Sequence, residues 1–73
     1  MGRIAEIIKE EQGRFEGERL AEQLRWAAWL VREELPETTS SQFGDAAASL
    51  GLHRQGAMNR WNEAMTNWEL AFG

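Results

Sequence analysis

Apolar residues recur along this chain at spacings of three and four, the period of helices. Ile4, Ile7 and Ile8 set an apolar face over about residues 3–12, and Gly13 and Gly17 interrupt it around Phe15, where a bend or short loop is expected. Leu20, Leu24, Ala27, Ala28, Val31 and Leu35 form a second, longer stripe that Pro36 brings to an end. Trp26, Trp29 and Leu30 widen the apolar surface of this helix beyond one stripe, so residues 18–35 are expected to be covered on more than one face, by the rest of the chain and by a partner subunit. Glu18, Arg19, Glu22, Arg25, Arg32 and Glu33 read as its solvated face, with Glu22 and Arg25 placed for an i,i+3 pair. Residues 37–42, Glu-Thr-Thr-Ser-Ser-Gln, read as a loop. Within it Thr39 and Gln42 have the spacing of a capping box, and Ser41 is an equal candidate for the cap.

The C-terminal third departs from a single short helix. Met58, Trp61, Met65, Trp68 and Phe72 recur at three, four, three and four, a heptad-like seam expected to pack on Trp26, Trp29 and Leu30 or on a second chain. The aromatic residues follow one stripe without interleaved basic residues, which favours packing over base stacking. The pattern predicts an all-α protein: a small helical domain in which a long amphipathic helix precedes a pair of helices joined by a tight turn. Residues 1–40 form a packing and oligomerisation segment, and residues 41–73 the helix pair with its extended last helix, in one domain overall.

Between the two C-terminal helices, Ala47 offers a small side chain for close approach, Leu50 points inward, Gly51 can take a positive φ, and Leu52 anchors the turn. His53, Arg54 and Gln55 then open the last helix, with Asn59 and Arg60 one turn further on. This order of residues suits a helix-turn-helix, whose second helix enters the DNA major groove. From Ala46 to Trp61 the chain resembles small bacterial DNA-binding proteins of an actinobacterial or phage type. The resemblance lies in Leu50-Gly51-Leu52-His53-Arg54-Gln55-Gly56-Ala57 and in Arg60-Trp61. It implies base reading by Arg54, Gln55 and Asn59, and phosphate or base contacts from His53, Arg60, Ser41 and Gln42. Two positions depart from the pattern. His53 stands where Ser or Thr commonly caps the second helix, and Gly56 where Ala is usual. A glycine there costs about 0.5–1 kcal/mol of helix stability, so either the helix begins loosely or the missing side chain permits a close approach. Arg60 has two candidate partners, DNA and the carboxylate of Glu63.

Composition changes this picture in two ways. The net charge of −4 opposes the basic footprint usual for nucleic-acid binders, but residues 1–40 carry nine acids against six bases, and between Leu52 and Asn62 there are two Arg and no acid. The expected reading surface is therefore locally positive. Four Trp, three Phe and three Met in 73 residues supply more large apolar surface than one small domain hides, which argues for a homodimer or higher homo-oligomer.

Other classes lose ground on the same residues. Without cysteine and with His53 as the one histidine, disulfides, thiolate metal sites and His clusters are excluded, and no cofactor is implied. No apolar run approaches the roughly 18 residues of a membrane span, and the N-terminus lacks a signal-peptide pattern, so a cytoplasmic protein is expected. No phosphate loop, nucleophile elbow or zinc-protease motif is present, and an enzyme is not expected. The expectation is a dimeric transcriptional regulator that reads an inverted repeat in double-stranded DNA. The competing expectation, prompted by the acidic balance, is a helical protein–protein interaction module or phage packaging or adaptor subunit.

Overall fold

Among the described residues there are four helices: α1 (Arg3–Arg14), α2 (Leu20–Glu34), α3 (Ser40–Ser49) and α4 (Arg54–Phe72). The structure is a computed structural model that describes residues 2–73, and no strand occurs among the described residues. The all-α class is as expected; four boundaries are not, one being the start of α2, where Arg19 is the N-cap in extended backbone and Glu18 precedes the helix.

α1 runs through Gly13 to Arg14 because Gly13 lies on its exposed side, while Ile7, Ile8 and Glu11 hold the buried side. A glycine at an exposed position costs about 0.5–1 kcal/mol, too little to break a helix anchored by that face. The break falls at Phe15, whose carbonyl accepts the Glu18 N–H at 2.9 Å and the Gln23 side-chain amide at 2.8 Å. α2 stops at Glu34, one residue short of expectation, with Leu35 at φ −131°, ψ 71°. The ring of Pro36 excludes the residue before it from helical backbone. Ser40, Ser41 and Gln42, read above as loop, form the first turn of α3. The capping box explains the early start: Thr39 Oγ1 accepts the Gln42 N–H at 3.2 Å, and Gln42 Oε1 accepts the Thr39 N–H at 2.9 Å. Ser41 is exposed inside that turn and is not the cap.

Arg3 at the start of α1 pairs with Glu34 at the end of α2, Nε to Oε2 at 2.5 Å, so these helices run antiparallel. The hydrogen bond from Arg3 holds the Glu34 carboxyl below its ordinary value. α2 and α4 run side by side in the same direction. Leu20 and Leu24 lie by Gly56 and Ala57, Arg25 bonds Glu63 at 2.9 Å, and the Trp29 indole donates to the Ala64 carbonyl at 2.9 Å. Glu63, with help from the charge of Glu22, raises the Arg25 guanidinium above its ordinary value.

Among the described residues, six of the twelve buried apolar residues are alanines: Ala5, Ala27, Ala28, Ala47, Ala57 and Ala64. Small side chains let the helix axes approach, and each buries little area, so the core leans on a few large residues. Phe43 of α3 and Trp61 of α4 are the aromatic residues among these, with ring centroids 5.0 Å apart, beside Ile7, Ile8, Leu24 and Val31.

Candidate nucleic-acid interface

The turn between α3 and α4 is fixed by backbone hydrogen bonds. Leu52 N–H reaches back to Ala47 O and Gly51 N–H to Ala48 O, each at 3.0 Å, while Gly51 adopts φ +83°. This paired arrangement closes the C-terminus of α3, and a left-handed residue at that point favours glycine. Leu50 and Leu52 pack against the core on either side of Gly51 and hold the turn in place.

α4 starts immediately after. His53 Nδ1 accepts the Gly56 N–H at 3.0 Å and so caps the helix. With Nδ1 accepting, a neutral imidazole carries its proton on Nε2, and the side chain is exposed. A Cβ on residue 56 would stand 3.1 Å from His53 Nδ1, so the glycine makes room for the capping ring. The two positions that depart from the expected helix-turn-helix pattern thus form one local device.

α3 and α4 cross at Gly44, a position that the sequence pattern did not single out. A Cβ there would lie 2.6 Å from Met58 Cγ and 3.1 Å from the Arg54 carbonyl. The crossing sets Asp45 beside Arg54, whose Nε donates to Asp45 Oδ1 at 2.7 Å. Gln55 Nε2 donates to Asn59 Oδ1 at 3.1 Å, which places both carboxamides on one exposed strip. Asn62 and Thr66 continue that strip and are exposed too. The spacing of four, three and four from Gln55 to Thr66 was the signal that could have added Asn62 to the candidates.

The remaining candidates divide. Ser41 and Gln42 are exposed in the first turn of α3, with the Gln42 side chain engaged in the cap. Arg60 pairs with Glu63 one turn further along α4 at 3.0 Å and lines a recess of about 270 Å³ with Leu20 and Leu24 of α2 and with Leu52. Its Nε is buried and unpartnered. The locally positive surface is corrected accordingly: Arg54 and Arg60 each hold a carboxylate contributed from outside the Leu52–Asn62 segment. Acids nonetheless stay sparse, since Asp45 is the one Asp or Glu among residues 38–62.

The apolar seam of α4 is used mostly within the chain. Met58 meets Gly44, Trp61 is buried on Phe43, and Met65 packs on the core. Trp68 and Phe72 lie edge-on to Trp29, at 6.1 and 6.4 Å between centroids. Trp26, Leu30 and Phe72 are exposed, at 45, 37 and 66 % of their surface. No helix is long and apolar enough to cross a membrane among the described residues. The chain matches no protein-family model, and no curated protein or solved structure is detectably similar to it.

Proposed function

We propose that this protein binds double-stranded DNA, with α3 and α4 acting as a helix-turn-helix and the first turns of α4 lying in the major groove. The observation that carries the reading is the exposed strip of Gln55 and Asn59 beside Arg54, at the start of a helix in the acid-poor part of the chain. Carboxamides and a guanidinium are the groups that read adenine and guanine edges. The His53 Nε2–H and the first turn of α3 at Ser41 and Gln42 supply phosphate donors.

The pairing of Arg54 with Asp45 does not prevent this. Both side chains are about half exposed or more, at 47 and 68 %, and a pair of that kind is worth about 0.2–1 kcal/mol. A bidentate base contact is worth roughly 1–3 kcal/mol, so Arg54 exchanges its partner on the duplex. One chain offers few phosphate contacts, and affinity then depends on two copies engaging two half-sites. The reading is of a dimeric, non-enzymatic transcriptional regulator. A specific observation favours a second reading, a helical module that binds protein: every Arg between residues 38 and 62 already holds a carboxylate.

Titration of a labelled random-sequence duplex over a range of salt separates the two. Binding whose logarithm falls linearly with the logarithm of salt supports the DNA reading. Absence of binding at the lowest salt that keeps the protein folded overturns it in favour of a protein partner.

A further inference from the structure

Five of the seven aromatic residues form a contiguous ladder at the surface. Phe15 stacks on Trp26 at 5.7 Å, Trp26 meets Trp29 edge-on at 5.5 Å, and Trp29 meets both Trp68 and Phe72. The exposed parts of Trp26 and Phe72 alone amount to roughly 200 Å², taking about 150–250 Å² for a whole aromatic side chain. The partly buried rings of Trp29 and Trp68 and the exposed Leu30 extend this toward the several hundred Å² at which an apolar patch on a small domain marks an interface.

The charges around Trp26 indicate what covers it. Glu33 lies seven residues after Trp26 on α2, two turns on and within roughly 20° of its direction, and Arg19, the N-cap residue that leads into the helix, lies seven residues before it. Both are exposed, and among the described residues neither forms an ion pair within the chain. A two-fold axis through Trp26 turns this pattern onto itself: antiparallel α2 helices would set Trp26 against Trp26, Arg19 against Glu33 and Glu33 against Arg19. An isologous interface demands such self-complementarity, with each residue meeting its counterpart in both directions.

We propose that a second copy of this chain covers the ladder, its α2 crossing antiparallel at Trp26 with Arg19 and Glu33 paired across both ends. The arrangement supplies the two-copy state on which the DNA reading draws, yet it is read out by mass alone, so failure of one is separable from failure of the other.

Sedimentation equilibrium from micromolar to millimolar protein tests it. The wild-type chain is expected at twice 8.3 kDa. Trp26→Glu is expected as a folded monomer, with helicity checked by circular dichroism. Arg19→Glu and Glu33→Arg are each expected to weaken association about tenfold, because the two-fold axis doubles each effect, and the double variant is expected to recover it. A monomeric wild type overturns the proposal, as does a dimer indifferent to Trp26→Glu. A dimer that the double charge exchange fails to restore overturns the antiparallel register.

Discussion

His53 Nδ1 accepts the Gly56 N–H at 3.0 Å, and a Cβ on residue 56 would stand 3.1 Å from that same nitrogen. The cap and the glycine are therefore coupled. Alanine at position 56 gains helix propensity but presses on the ring that caps the helix.

A double-mutant cycle on this pair is expected to show non-additivity. In the His53→Ala background, Gly56→Ala should stabilise by about 0.5–1 kcal/mol, the difference in helix propensity. With His53 present the gain should shrink or reverse. Equal gains in both backgrounds, measured by denaturant unfolding, would show that the contact carries no energy.

Gly44 lies where α3 and α4 cross most closely, and Gly44→Ala should lower stability by about 1–3 kcal/mol through overpacking against Met58 and the Arg54 carbonyl. Trp61→Ala, which empties the core beside Phe43, should cost about 3–5 kcal/mol. An unchanged melting temperature for Gly44→Ala would contradict the observed crossing.

Asp45 is the one carboxylate in the acid-poor segment, and it holds Arg54. Asp45→Asn should tighten DNA binding, because it removes the carboxylate that competes with the duplex for Arg54. Arg54→Ala should do the opposite and relax discrimination at one base step, by about 1–3 kcal/mol. Anisotropy titrations at several salt concentrations measure both. Weaker binding by Asp45→Asn would mean that the carboxylate positions Arg54 and does not compete for it.

The Arg3 hydrogen bond lowers the pKa of Glu34 in the folded chain relative to the unfolded one. Its contribution is therefore fully present above the ordinary glutamate pKa and is lost as pH falls through the folded-state value. Glu34→Gln should be less stable than wild type near neutrality, and the gap should close on acidification. The gap is small because both side chains are nearly half exposed, at 43 and 46 %, and solvent screens the pair. A gap that persists unchanged into acid would assign it to packing.

What the sequence made legible was local. The Thr39–Gln42 capping box, the positive φ at Gly51 and the seam from Met58 to Trp68 all follow from spacings within a few residues. What it did not show depends on residues brought together by the fold. Gly44 looks like any helix glycine until α4 crosses it, and Asp45–Arg54 and Arg25–Glu63 join residues nine and thirty-eight apart. The same reasoning explains the overestimated charge of the reading surface, because a count over Leu52–Asn62 omits the carboxylates on either side of it. Gly13 and Pro36 misplaced their boundaries by small amounts, one because burial outweighed propensity and the other because proline acts on the residue before it.

Gln55, Asn59 and Arg54 are proposed to read base edges from α4. Selection of bound duplexes from a random pool at about 100 mM salt tests this most directly, run in parallel for wild type, Gln55→Ala and Asn59→Ala. An enriched inverted repeat with half-site centres about 34–36 Å apart is expected, with a degenerate base at a defined half-site position in each variant. No enrichment from the folded wild-type protein, or the same repeat from all three proteins, would contradict it.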